Sequence, residues 1–243
     1  MSKTILITGA STGIGAGTAE LLANGNEIII HYCHSEDKAK KVKEVVEKNN
    51  GKGFLVKADL STEEGCLELV KTVKSKFEKI DVLFNNAGGA VKRCDIREID
   101  WKLIDEIMTL NTYSTIFLSS KLVPLLEKGN HPCIINVTSV AMRSGSPSVA
   151  VYAASKGALD TFTRGLASAL APKIRVNAIA PGVIDTPFHE KVTAPEKMKE
   201  FKESIPLNIL GEPRHIAEAV QFLINNEFMT GATLDINGGV SMY

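Results

Sequence analysis

Tyr152 and Lys156 stand four residues apart in a helical stretch, and Ser139 lies thirteen residues before the tyrosine, at the end of an apolar run. A spacing of four puts two side chains on one face of a helix, a turn apart. A free tyrosine is a poor base at neutral pH because its pKa is about 10. A neighbouring ammonium favours the phenolate and lowers that value. A phenol, an ammonium and a hydroxyl held together could pass a proton to or from a bound oxygen and stabilise the charge that forms on it. Alone, the Tyr–Lys spacing is the ordinary pattern of a helix surface pair. The strand-end serine upstream argues for the chemical reading.

A second group points to a phosphate. Thr8-Gly9-Ala10-Ser11-Thr12-Gly13-Ile14-Gly15 follows the first apolar run and leads into the first helical one. Glycines at these places let the backbone turn tightly and approach a pyrophosphate, and the helix that follows offers N–H groups and a positive dipole end. The spacing is G-x-x-x-G-x-G rather than the G-x-G-x-x-G of most dinucleotide turns, so position between strand and helix carries the argument. His31, Cys33 and His34 invite a metal reading. Successive strand residues face opposite ways, however, and no matched second ligand pair accompanies them, so no metal site is expected. His131, His189 and His215 lie apart and show no H-E-x-x-H pattern.

The elements that must position these groups can be read from punctuation and period. Strands are expected at 4–8, 27–32, 54–58, 81–84, 133–138, 174–180 and 233–236. Helices are expected at 14–24, stopped by Gly25, from the Ser35-Glu36-Asp37 cap to Asn49, and from Ser61-Thr62-Glu63-Glu64 onward. The strands are continuous Ile/Leu/Val runs and helical stretches separate nearly all of them. Both features predict an α/β fold, a single doubly wound parallel sheet of Rossmann type with helices on both faces. In such sheets ligands bind at the carboxyl ends of the strands, where Ser139 and the glycine turn both fall. No linker or internal repeat divides the chain, so residues 1–243 are read as one domain. Trp101 and Met108 are expected to fill the fourth crossover. The helix at 151–170 carries charge only at Lys156, Asp160 and Arg164, four apart on one stripe, and is otherwise small or apolar. A helix apolar nearly all round is buried on two sides, which predicts its own sheet on one and a partner subunit on the other.

Composition excludes several functions. The 28 basic and 28 acidic residues cancel, whereas nucleic-acid and anionic-membrane binders need a basic face. No apolar run approaches the roughly 20 residues that span a bilayer. The run before the glycine turn is too short for a secretory signal. The four cysteines are far apart with no C-x-x-C pair, the usage of a reduced cytoplasmic protein.

Taken together, the motifs resemble those of the short-chain dehydrogenase/reductases: Thr8-Gly9-x-x-x-Gly13-x-Gly15, Asn85-Asn86-Ala87-Gly88, Ser139, Tyr152-x-x-x-Lys156 and Pro181-Gly182, in that order over essentially the whole chain. The resemblance implies that Tyr152 is the general acid in carbonyl reduction or the base in alcohol oxidation. Ser139 would bond the substrate oxygen, and Lys156 would bind the nicotinamide ribose and lower the tyrosine pKa. Asn111, in Leu110-Asn111-Thr112, would hold a water in the proton relay. For the cofactor, the resemblance implies the turn residues Gly9, Ser11, Thr12, Gly13, Ile14 and Gly15. It also implies Asp59 with Leu60 at the adenine, Asn85, Asn86, Ala87 and Gly88 beside the adenine ribose, and Pro181, Gly182, Ile184 and Thr186 at the nicotinamide or phosphates. A homotetramer and a small-molecule substrate are implied as well.

The second strand ends in Tyr32 where an NAD-selective carboxylate would stand. His31, His34, Ser35 or Lys38 could hold a 2′-phosphate, His34 best placed, so NADP(H) is favoured over NAD(H). The Pro-punctuated segment 183–211 is read as a substrate lid. Arg143 and the polar loop 141–148 favour a sugar, polyol or small polar carbonyl. A 3-oxoacyl-[acyl-carrier-protein] reductase is the alternative, for which Lys92, Arg93 and Arg97 could form a basic patch. The rival from another class is a nucleotide-binding protein without catalysis.

Overall fold

Each apolar run forms a strand, and each stretch between runs packs back over the sheet. The computed structural model describes residues 2–242, and for residues 190–192 the backbone alone. Its seven strands are β1 Thr4–Ile7, β2 Glu27–Tyr32, β3 Lys52–Lys57, β4 Val82–Asn85, β5 Cys133–Val137, β6 Arg175–Pro181 and β7 Thr233–Ile236. They lie in the order β3-β2-β1-β4-β5-β6-β7, parallel throughout. The order turns back on itself between β1 and β4, the crevice where open α/β sheets hold ligands.

The connections are α1 Gly13–Leu21, α2 Glu36–Lys48, α3 Glu63–Lys76, α4 Trp101–Met108, α5 Ser114–Leu126, α6 Ala141–Ser144, α7 Ala150–Leu170, α8 Pro187–Val192, α9 Pro195–Ser204 and α10 Pro213–Asn225. Alternate strand residues feed two cores. Ile5, Ile7, Ile28, Ile30, Phe84 and Ile135 face α1, α2 and α10, and Leu6, Ile29, Leu83, Ile134 and Val176 face α3, α5 and α7. Burial on both faces is why these strands read as unbroken apolar runs.

The sequence expectations differ from the structure in two instructive places. Helix α1 stops at Leu21 rather than 24, because the Asn26 amide donates to the Leu22 carbonyl at 2.7 Å and ends the ladder early. Trp101 does not fill a crossover: it opens α4 and is 81% exposed. The charged stripe of α7 faces inward, with Lys156 and Asp160 buried and only Arg164 outside. Its small residues Ala154, Gly165, Ser168 and Ala169 are exposed on the chain's surface.

Candidate active site

The glycine turn closes over the end of β1. Gly9 and Gly13 adopt positive φ of 63° and 57°, a region in which a side chain is strained. A Cβ on Gly15 would lie 2.5 Å from the Gly9 carbonyl oxygen, so Gly15 must be bare for α1 to sit against the turn. Thr12 is the N-cap of α1, and its side chain makes no capping bond. The first turn of α1 thus presents its N–H groups to the cavity beside Ser11, Thr12, Gly13 and Ile14.

Two side chains fix the turn from below. Asn86 donates through Nδ2 to the carbonyls of Thr8 (2.8 Å) and Gly9 (3.1 Å). His31 accepts the Gly9 N–H at Nδ1 (3.0 Å) and donates from Nε2 to the Ala58 carbonyl (3.1 Å). Burial lowers its pKa to about 4, so the ring is neutral. His31 is therefore a brace of the turn rather than a phosphate ligand. Asn85 also departs from expectation: it turns away from the cavity and donates to Ser119 Oγ (3.0 Å) and Asn136 Oδ1 (2.9 Å) in the core.

Ser139 follows β5, whose end is held to β6 by the Thr138 N–H donating to Ile179 (2.8 Å). Ser139 Oγ accepts the Ala141 N–H at 3.1 Å, and its hydroxyl lies close enough to the Tyr152 phenol to lower that group's pKa. Lys156 is buried one turn along α7 from Tyr152, donates from Nζ to the Val137 carbonyl at 2.8 Å, and lies 5.7 Å from the tyrosine ring centre. Burial lowers the lysine pKa to about 7. It raises that of Tyr152, with the nearby Ser139 hydroxyl pulling the other way. In the protein alone, loss of hydration outweighs the lowering that the lysine's proximity predicts, and the phenol keeps its proton.

Asn111 sits in a π-helical turn, Thr109–Tyr113, between α4 and α5. Its side chain is fully buried, donating to Gly89 and Ile107 (both 2.8 Å) and accepting the Gly89 N–H (2.9 Å). A Cβ on Gly88 would meet Asn111 Oδ1 at 2.6 Å and Lys156 Nζ at 3.1 Å. Asn111 thus stands behind the cavity wall, within reach of the space beside Lys156.

A single cavity of about 800 Å³ joins these groups. Its walls include Gly9, Ser11, Thr12, Gly13, Ile14, Tyr32, His34, Asp59, Leu60, Asn86, Ala87 and Gly88 toward β1–β4, and Ser139, Tyr152, Lys156, Pro181, Gly182, Ile184 and Thr186 toward β5–β6. Gly15, like Asn85, was expected at the cofactor and lies behind the wall instead. Asp59 is held below the usual carboxylate range by bonds from the Ser61 hydroxyl and N–H. Arg143 does not reach the cavity; it pairs with Asp235 on β7 (3.2 Å). Arg97 pairs with Asp95 (3.3 Å) while Arg93 lines the cavity, so these two of the three cations expected in a carrier patch are engaged elsewhere. Phe188, Phe201, Leu110 and Val240 also line this end. They come from four separate segments, and no spacing in the chain marks them. Among the described residues no cluster of three His, Cys, Asp or Glu could hold a metal, and no helix is long and apolar enough to cross a membrane.

Comparison with known proteins agrees with this fold. A family model described as enoyl-(acyl carrier protein) reductase matches residues 9–241. A 3-oxoacyl-[acyl-carrier-protein] reductase from Synechocystis is 35% identical over 250 residues, covering 100% of this chain and 98% of its own. The angucycline C-6 ketoreductase LanV, solved with bound NADP, superposes with a TM-score of 0.91 at 31% identity over 99% of this chain and 98% of its own. The NADH-dependent reductase A1-R′ of alginate metabolism superposes with a TM-score of 0.90 at 30% identity, over 100% and 98%.

Proposed function

The chain belongs to the short-chain dehydrogenase/reductase family, and from that premise we propose that it reduces a ketone to a secondary alcohol with a nicotinamide dinucleotide. The observation that carries the reading is the meeting of Ser139, Tyr152 and Lys156 in the cavity that the uncapped glycine turn opens into. The residues fit the cofactor: the bare turn and free first turn of α1 suit a pyrophosphate, and Asp59 and Leu60 stand at the far end for an adenine. When bound, the nicotinamide supplies the hydride. The chain does the rest. Ser139 holds the substrate oxygen, and Tyr152 gives it the phenolic proton. Lys156 places its charge beside the phenolate that forms, and Asn111 holds the route by which the tyrosine is reprotonated. A phenol that keeps its proton can serve as the acid in reduction.

NADP(H) is the preferred cofactor. Tyr32, Cys33 and His34 carry no carboxylate of their own to repel a 2′-phosphate. The Asp59 carboxylate beside Cys33 and His34 faces a histidine that can offset it, and His34 and Ser35 line that end of the cavity. LanV holds NADP, although A1-R′ uses NADH. Fluorescence titration is expected to give tighter binding of NADPH than of NADH, and NADPH oxidation with a panel of ketones should follow. Binding of neither nucleotide would overturn the proposal, and a preference for NADH would overturn the role of His34.

A small polar ketone, sugar- or polyol-like, is the favoured substrate, because Ser144 and Ser146 line the substrate end of the cavity. The carrier-bound 3-oxoacyl reading has the Synechocystis relative in its favour and the engagement of Arg93 and Arg97 against it. Segment 183–211 is the lid. Its base is pinned where the Asp185 N–H donates to the Gly211 carbonyl (2.8 Å) and the Gly211 N–H to the Val183 carbonyl (2.9 Å), and it carries Phe188 to 6.2 Å from the Tyr152 ring.

The exposed small face of α7 supports a homotetramer. A Cβ on Gly157 or Gly165 would meet nothing within 4 Å, space that a neighbouring helix can enter closely. Light scattering is expected to give a mass well above the 26.2 kDa of one chain, and a monomer at micromolar concentration would contradict it.

A further inference from the structure

Arg93 joins three walls of the substrate end through a single side chain. It lies on the chain segment after β4, and the adjoining Cys94 N–H already donates to the Ser148 carbonyl at 3.1 Å. Its guanidinium donates from Nη1 to Ser148 Oγ (2.9 Å), on the short turn that runs from Ser139 to Tyr152. It donates from Nη2 to Thr193 Oγ1 (3.3 Å), between the two lid helices. It also lies 5.6 Å from the centre of the Phe201 ring on α9. Thr193 Oγ1 is in turn 3.2 Å from His189 Nδ1, so the hydroxyl links Arg93 to α8. Ser148, His189 and Phe201 all line the cavity. The planar guanidinium can serve a hydroxyl on each arm and an aromatic face at once, which a lysine ammonium cannot.

The lid is pinned at its base by the Ile184–Gly211 bridge, and Arg93 ties its distal half to the loop behind Ser139. We propose that Arg93 is a positioning residue that clasps the lid shut over the substrate by bridging Ser148 to Thr193 and Phe201. The inference rests on the ketone-reductase reading for its consequence and not for its geometry. Closing the lid excludes water from the carbonyl and holds the substrate against Ser139 and Tyr152. Opening it requires the hydrogen bonds to Ser148 and Thr193 and the contact with the Phe201 ring to be given up together.

The test is amide hydrogen exchange read by mass spectrometry on the NADPH-saturated full chain, with kinetics on ethyl acetoacetate as a generic 3-oxo ester. Arg93→Ala is expected to speed exchange across α8 and α9 about tenfold, and nowhere else, as a local opening made easier. Its KM should rise about tenfold while kcat and the NADPH Kd stay within about twofold. Arg93→Lys should resemble Arg93→Ala, because charge without the fork cannot bridge. The double variant Ser148→Ala/Thr193→Val, which leaves the arginine in place, should reproduce the faster exchange. Unchanged exchange in Arg93→Ala overturns the clasp. So does a raised KM with exchange unaltered, which would mean that Arg93 touches the substrate itself. If the wild type binds NADPH but leaves ethyl acetoacetate and the ketone panel unreduced, the ketone-reductase reading fails, and the exchange rates still decide the clasp.

Discussion

Replacing Tyr152 with phenylalanine is expected to lower kcat about 1,000-fold, within the range that a positioned acid or base contributes, and to leave NADPH binding within about twofold. The substitution removes one oxygen from a ring whose place is set by other contacts. Tyr152 lies one turn before Lys156 on a 21-residue helix, and its ring rests 6.2 Å from that of Phe188. Phenylalanine keeps that packing, so the loss reads the proton and not the fold. Ser139 would keep its bond from the Ala141 N–H and still bind the substrate oxygen, which is why some residual rate should remain. The measurement is single-turnover oxidation of NADPH at saturating ketone, with nucleotide fluorescence as the binding control. Turnover within about tenfold of wild type would remove Tyr152 from the acid's role. Lost nucleotide affinity would mean that the phenol serves binding first.

Acid is expected to weaken the fold by on the order of 3 kcal/mol through His31 alone. Burial lowers its pKa to about 4 from an ordinary 6.5. The unfolded chain therefore takes up a proton that the folded chain refuses, and stability falls as pH drops from 6.5 toward 4. Above 6.5 both states hold the neutral ring and the loss is absent. The structural cause is specific: Nδ1 accepts the Gly9 N–H while Nε2 donates to the Ala58 carbonyl. Protonation of Nδ1 would set a donor against a donor beneath the glycine turn. Urea unfolding of wild type and His31→Gln at pH 7, 6, 5 and 4.5 isolates this residue, since the other titrating groups cancel in the difference. The two stabilities should converge or cross in acid, by most of that amount. Parallel curves would show that His31 is not the proton acceptor. NADPH affinity of the folded wild type should hold over the same window, because the folded ring stays neutral until the pH nears 4.

Much of this protein was legible in its sequence because the information was local. Glycine at 9, 13 and 15 reflects backbone angles and a contact distance that no other residue tolerates. Unbroken Ile/Leu/Val runs reflect strands buried on both faces, and these gave the parallel sheet and the strand ends where Ser139 and the glycine turn lie. The Tyr152–Lys156 spacing survives because one helical turn fixes it.

Tertiary structure decided whatever depends on which way a side chain turns and what it meets from far along the chain. Asn85 and Asn86 are neighbours of one type, yet one feeds the core between β4 and β5 and the other braces the glycine turn. The charged stripe of α7 is buried, because Lys156 finds the Val137 carbonyl and Asp160 finds Thr233. His31 looks like a phosphate ligand and becomes a neutral brace once Gly9 and Ala58 close on it. Arg143 and Arg93 exchange their expected places, one claimed by Asp235 and the other by the lid. Periodicity reports the path of the backbone. The pairing of charges and hydroxyls between distant segments follows from desolvation and distance, which exist only after the sheet has brought its strand ends together.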